Sequence, residues 1–228
     1  MSEITVKNKE VVVPGEILAE GMDYLPGQGA YREGEKIRSG LVGLFNVDGR
    51  TLKIIPLSGK YMPKNGDTII CQVIDVTFNG WIVSTNSAYQ AMLSMKDATS
   101  DFIAKGADLT RYYKIGDYIV AKVTTVTSQN QINVSMIGPS LKKLGKGRLI
   151  EVDPNKVPRI IGKQGSMVSM LKQATGCRIT VGQNGLVWIE GKPEGELLVI
   201  NAIRKIERES HLSGLTDKIK SLLEKESK

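Results

Sequence analysis

The sequence predicts a multi-domain chain of β plus α+β class: a small N-terminal β module, a five-stranded β module, then an α+β module with a C-terminal helix. Three observations carry this. Up to residue 137 the apolar residues fall in short strand-length runs separated by Gly, Asn and Asp, whereas beyond residue 148 runs with helical spacing intervene. Two turn-rich breaks, Pro56 to Gly66 and Gly138-Pro139 with the Lys/Gly segment to Gly147, punctuate the chain. The net charge of +7 is also unevenly placed, and all of it falls from the second break onward, in residues 138–228. The expected boundaries are 1–64, 65–137, 138–212 and 213–228.

In the first module the strand signals are Val11 to Val13, Leu41 to Val47 and Leu52 to Ile55. No long helical pattern and no reactive constellation accompany them, so a packing or docking role is expected. The second module offers strands over Thr68 to Val76, Gly80 to Ser84, Tyr89 to Leu93, Tyr118 to Val126 and Ile132 to Met136. Five strands with an excursion after the third, Lys96 to Lys114, fit a small Greek-key OB barrel. Such barrels stack unpaired bases on aromatics of one sheet face. Phe78 and Trp81, on either side of Asn79-Gly80, are the candidates for that face, with the barrel core as the competing place for either.

The third module changes period. Arg148 to Val152 reads as a strand, Val157 to Ile161 as a short apolar stretch, and Ser166 to Thr175 as a helix stopped at Gly176. Cys177 to Val181 and Leu186 to Glu190 form a hairpin about Asn184-Gly185, and Glu194 to Glu209 is a second long helix. The order is β-α-α-β-β-α. Thr216 to Glu226, with Leu215, Ile219, Leu222 and Leu223 in one stripe, is expected to be an amphipathic docking helix.

Charge and glycine spacing meet in this module. Residues 138–228 hold seventeen Lys/Arg against ten Asp/Glu, and between Gly138 and Arg178 nine bases face only Glu151 and Asp153. A single-sign field of this kind attracts polyanions, although a solvated basic face would share the composition. Gly162-Lys-Gln-Gly165 is one of three G-x-x-G spacings, beside Gly40 to Gly43 and Gly182 to Gly185. It alone sits between two candidate helices. Glycines at Gly162 and Gly165 let a sugar-phosphate backbone approach the main chain, and the next helix turns its free N–H groups toward a phosphate. Arg159, Lys163, Gln164 and Lys172 surround the loop, adding charge or hydrogen bonds without selecting a base.

On these residues the chain resembles a known family. Val157-Pro-Arg-Ile-Ile-Gly-Lys-Gln-Gly-Ser-Met167, followed by Gly182-Gln-Asn-Gly185 and Trp188, is similar to a type-I KH domain. Gly66 to Val73, Gly80-Trp81 and Ile115 to Val120 are similar to the ribosomal-type OB RNA-binding domain. Val12 to Gly21 and Leu41 to Val47 resemble the N-terminal β domain of the RNA-binding cap subunits of the archaeal exosome. The resemblance implies a trimeric cap, three copies per complex, seated on a hexameric ring of RNase PH-like subunits. It also implies docking through the N-terminal domain, OB domains around the pore, and single-stranded RNA as the ligand. Ser94 departs from the pattern, since many such OB domains carry a histidine there on the RNA face.

Catalysis of its own is not expected. The chain has no G-x-x-x-x-G-K-[ST] and no G-x-G-x-x-G opening a helix, and its carboxylates show no paired metal-ligand spacing. The single histidine, His211, cannot form a multi-histidine site and is expected at a polar position near a helix end. Cys71 and Cys177 read as buried thiols. No cofactor or metal is therefore expected, and neither a membrane span nor a secretory leader, so a cytoplasmic protein is the expectation. The alternative is a free-standing OB/KH RNA-binding protein of RNA metabolism or translation.

Overall fold

The computed structural model describes residues 3–101, 103–104, 106–210 and 214–226, so the expectation for His211 lies outside the described residues. The chain separates into two compact units, Met1–Gly59 and Lys60–Lys228.

The first unit holds eight strands: β1 (Glu3–Ile4), β2 (Val11–Val12), β3 (Ile17–Glu20), β4 (Leu25–Pro26), β5 (Ala30–Glu33), β6 (Lys36–Ser39), β7 (Gly43–Asp48) and β8 (Thr51–Pro56). They form two four-stranded sheets, ordered β1-β3-β6-β5 and β2-β7-β8-β4. Leu18 and Ile37 from one sheet meet Val12, Phe45, Leu52 and Ile54 from the other in a shared core. The longest strands, β7 and β8, together with the short β2, are those with visible apolar runs. Strands such as Lys36-Ile-Arg-Ser39 bury Ile37 between charged neighbours and carry too few apolar residues to announce themselves. On the outside of the second sheet the register aligns Val11, Leu44 and Ile55 in one row, and Val11 and Ile55 are 55% and 50% exposed.

The second unit begins with a closed barrel of β9 (Thr68–Thr77), β10 (Gly80–Ser84), β11 (Gln90–Ser94), β12 (Tyr118–Val126) and β13 (Ile132–Ser135), ordered β10-β11-β13-β12-β9. Closure leaves no long free edge. The excursion after β11 contains a one-turn helix, α1 (Met95–Ala98), and a 3₁₀ turn at Leu109–Arg111. Ile69, Cys71, Val73, Val83, Leu93, Ile119, Val123 and Val134 fill the interior, each the inward member of a period-two alternation.

Next come β14 (Arg148–Glu151), α2 (Val157–Ile161), α3 (Ser166–Thr175), β15 (Arg178–Val181), β16 (Leu186–Glu190), α4 (Pro193–Arg208) and α5 (Leu215–Glu226). The sheet is antiparallel in the order β14-β16-β15. Ile160, Leu171, Ile179, Ile189, Val199 and Ile203 make the core between helices and sheet. Gly176 ends α3 in the left-handed conformation, its N–H donating to the Lys172 carbonyl. The stripe Leu215, Ile219 and Leu223 buries α5 against this core.

Barrel and α+β module are joined through the β15–β16 turn. Asn184 is fully buried: its amide donates to the carbonyls of Ile70 (2.7 Å) and Thr85 (2.8 Å), and its Oδ1 accepts from the Ile70 N–H at 3.3 Å. Gln183 pairs with Thr68 in both directions, its N–H reaching the Thr68 carbonyl at 2.9 Å and its Oε1 the Thr68 N–H at 2.7 Å. The Thr68 and Ile70 groups lie on the stretch of β9 before its register with β10 begins at Gln72, and Thr85 directly follows β10, so the turn satisfies a short open barrel edge. A Cβ on Gly182 would sit 2.8 Å from the Ile70 nitrogen, and glycine is what permits the approach. Trp188, Ile70, Val120 and Leu144 close the junction with a small apolar cluster.

Candidate nucleic-acid interface

The glycine loop links α2 to α3. Gly162 has φ 76° and ψ 174°, Gln164 φ 51° and ψ 29°, and Gly165 φ 80° and ψ 11°. Three left-handed or glycine-only conformations in four residues reverse the chain within one turn. The Gly162 N–H donates to the Pro158 carbonyl at 3.0 Å and the Gly165 N–H to the Gly162 carbonyl at 3.2 Å. Gly165, the residue before α3, offers no side-chain cap; the Ser166 N–H is met by the Lys163 carbonyl, and the helix start carries no side-chain acceptor from its cap position.

The two glycines are not equivalent. A Cβ on Gly162 would lie 2.8 Å from both the backbone nitrogen and the Cβ of Met167, while one on Gly165 would meet nothing nearer than Val168 Cγ1 at 3.9 Å. Gly162→Ala combines a clash with strain and is expected to destabilise the unit by about 2 kcal/mol, against about 1 kcal/mol for Gly165→Ala. Chemical denaturation of the two variants checks the ranking; equal losses would contradict it.

Lys163 and Gln164 are exposed at the tip, and Lys172 is exposed one side of α3 further on. Arg159 is exposed as well, but its Nε donates to the Ser210 carbonyl at 2.9 Å and so ties α2 to the end of α4. Part of its hydrogen-bonding capacity thus serves the fold. Beside the loop runs a cleft of about 530 Å³ between α3 and β15, lined by the apolar Ile161, Val168 and Val181 and the basic Lys172 and Arg178. The Arg178 guanidinium lies 3.6 Å from the Glu190 carboxylate.

The barrel corrects one expectation. Trp81 is 0% exposed, its Nε1–H donates to the Tyr113 carbonyl at 3.0 Å, and its ring meets that of Tyr113 edge-on with centroids 5.2 Å apart. It is a core residue and cannot stack on a base. Strand alternation is the reason: Trp81 and Val83 point inward, so Ile82 points out. The register aligns Asp75, Ile82, Met92, Asn133 and Thr125 in one outward row, in which Ile82 and Met92 form an apolar pair that residue type alone did not single out. Phe78, in the turn between β9 and β10, is 86% exposed and free to stack. It lines a second cavity of about 600 Å³ with Met95 and Leu109, which shares no residue with the cleft beside the glycine loop. The hydroxyl of Ser94 donates to the Asp97 carboxylate at 2.6 Å, serving the α1 turn.

Sequence reasoning also passed over Arg178 and Val181 as cleft residues. The alternation of β15 marks Arg178 as outward, opposite the core-facing Ile179, whereas Val181 shares the Ile179 face and carries no such signal. Among the described residues no three His, Cys, Asp or Glu side chains converge as metal ligands, and no helix is long and apolar enough to cross a membrane.

Comparison with known proteins extends this geometry. Residues 147–195 match the KH domain family, and residues 9–58 match the family described as the exosome RNA binding protein RRP4 N-terminal domain. The exosome complex component Rrp4 of Pyrococcus horikoshii is 44% identical over 227 residues, covering 98% of this chain and 85% of that protein. Its counterpart from Pyrococcus furiosus is 45% identical, covering 98% and 86%. A crystal structure of a candidate exosome complex RNA-binding protein superposes with a TM-score of 0.65 at 34% identity, covering 74% of this chain and 97% of that one. With two domain families in the same order and near-complete alignment to these relatives, the chain belongs to the Rrp4 family of exosome complex components.

Proposed function

We propose that this chain is the non-catalytic RNA-binding subunit of an exosome. Three copies form a cap on a hexameric ring of RNase PH-like subunits, gather single-stranded RNA and guide its 3′ ends inward for degradation in the cytoplasm. The observation that carries the reading is the alignment of the whole three-module chain with relatives named as exosome complex components. The chemistry is in keeping with it. A helix start without a side-chain cap behind a glycine turn, Lys163 at its tip and a basic cleft with apolar lining residues suit a strand bound through phosphates and bases. Weak contacts of this kind, repeated in three copies around one pore, give useful capture through effective concentration. The N-terminal unit, residues 1–64 in the boundaries read from sequence, is assigned to ring docking.

Affinity capture of the tagged chain from a native lysate, with masses of co-purifying proteins, tests the assignment. RNase PH-like subunits in stable proportion are expected. RNA without any ring would instead support a free-standing OB/KH binder.

For the loop, Lys163→Ala in the full chain is expected to weaken binding of a short single-stranded RNA about fivefold. The slope of log affinity against log salt should become shallower by about 0.7, the value for one lost phosphate contact on a single strand. Titrations at several salt concentrations read both quantities; an unchanged slope would remove Lys163 from the interface. Lys163 is a cleaner site than Arg159, whose replacement also breaks the tie to Ser210.

A further inference from the structure

The cleft beside the glycine loop is not built by the α+β module alone. Thr68 at the start of β9, Val120 on β12, and Ser140 and Lys142 in the linker form part of its lining. The linker is held there as a strand-like segment. The Val120 N–H donates to the Lys142 carbonyl at 2.8 Å, the Leu144 N–H donates to the Tyr118 carbonyl at 2.8 Å, and Lys143 forms a β-bridge with Ile119. The Lys143 ammonium pairs with the Asp117 carboxylate. Burial would raise that carboxyl, but Lys143 and the Lys114 N–H together hold it below the ordinary carboxylate range. Leu141 and Leu144 pack around Trp188. Lys142 is therefore fixed through its backbone while its side chain stays exposed.

Three cations from three elements, Lys142, Lys172 and Arg178, line one cleft together with apolar Ile161, Val168 and Val181. Glu190 partly neutralises Arg178, whereas among the described residues no carboxylate pairs with Lys142 or Lys172. Apolar surface flanked by unpaired cations fits a nucleobase with its backbone phosphate at the rim. At about 530 Å³ the cleft is of the size of a small-ligand site.

We propose that barrel and linker complete this cleft as a composite site. One or two nucleotides of single-stranded RNA lie with a base against Ile161, Val168 and Val181, and with phosphate at the rim carrying Lys172 of α3 and Lys142 of the linker. The inference rests on the RNA-binding reading above and assigns to the linker a contact that the α+β module by itself lacks.

The test is fluorescence anisotropy of the full-length chain with a labelled ten-nucleotide oligouridylate across a salt series, comparing Lys142→Ala, Lys142→Arg, Lys163→Ala and Lys220→Ala. Lys220 is exposed on α5 and lines neither cavity, so it serves as the control for general charge. Lys142→Ala is expected to weaken binding about fivefold and to flatten the salt slope by about 0.7, with recovery in Lys142→Arg and little change in Lys220→Ala. If Lys142→Ala behaves like Lys220→Ala while Lys163→Ala is weakened, the composite site is overturned and the RNA-binding reading stands. If neither Lys142→Ala nor Lys163→Ala differs from a parent chain that binds, both the composite site and the glycine loop are overturned. If the parent chain itself does not bind the oligouridylate, the RNA-binding reading falls. The Lys142 side chain takes no part in the backbone bonds that hold the linker, so the variant keeps its fold; matching thermal transitions check this.

Discussion

Asn184→Ala is expected to destabilise the Lys60–Lys228 unit by about 3 kcal/mol, lowering its thermal midpoint by roughly 10 °C. The substitution removes one side chain but strands three backbone groups: the Ile70 N–H, the Ile70 carbonyl and the Thr85 carbonyl. Each sits at a buried junction, and an unsatisfied buried group costs about 1–3 kcal/mol, with water entry reducing the sum. Asn184→Asp should be no milder, because it keeps the shape while replacing the donating amide with a carboxylate aimed at two carbonyls. Calorimetry should also show the barrel and the α+β module beginning to melt separately, since the turn is their main polar tie. A loss below about 1 kcal/mol with a single sharp transition would mean that the Trp188 cluster alone couples the modules.

The second large effect concerns assembly. On the proposed docking of the N-terminal unit to an RNase PH-like ring, Val11→Asp with Ile55→Asp is expected to weaken that association on the order of a thousand-fold, which in a pull-down reads as complete loss. Both residues are about half exposed on the outer row of the β2-β7-β8-β4 sheet, with Leu44 between them, so the N-terminal unit should fold normally. Two carboxylates buried without partners in an apolar contact cost several kcal/mol, enough for that factor. RNA affinity of the isolated chain should be unchanged. Full retention of the ring with folded protein would place the docking surface elsewhere on the chain.

Much of the fold was readable because its signals are local. Period-two runs bounded by Gly and Asn marked all five barrel strands, and the switch to helical spacing marked α3 and α4. The glycine loop was readable for the same reason, since a G-x-x-G between two helices inside a basic stretch is a local pattern. The short strands of the sheet β1-β3-β6-β5 were not, because two to four residues with one buried side chain carry no period. Trp81 was legible in principle. Its alternation with Ile82 puts one of the pair inside, but only the closed barrel and the Tyr113 carbonyl decide which.

By itself, then, the sequence determined the order of modules, the basic sign of the last one and the position of its glycine turn. Those properties depend on neighbours a few residues away, where backbone preference and side-chain period act. Tertiary structure alone decided what meets across more than a hundred residues. Asn184 was legible as a turn residue, yet its amide serves Ile70, 114 positions earlier. Lys142 was one of nine bases between Gly138 and Arg178, and becomes part of the cleft lining only because barrel and α+β module pack together. Burial and long-range hydrogen bonding choose between the roles a side chain could take, and both are properties of the packed chain.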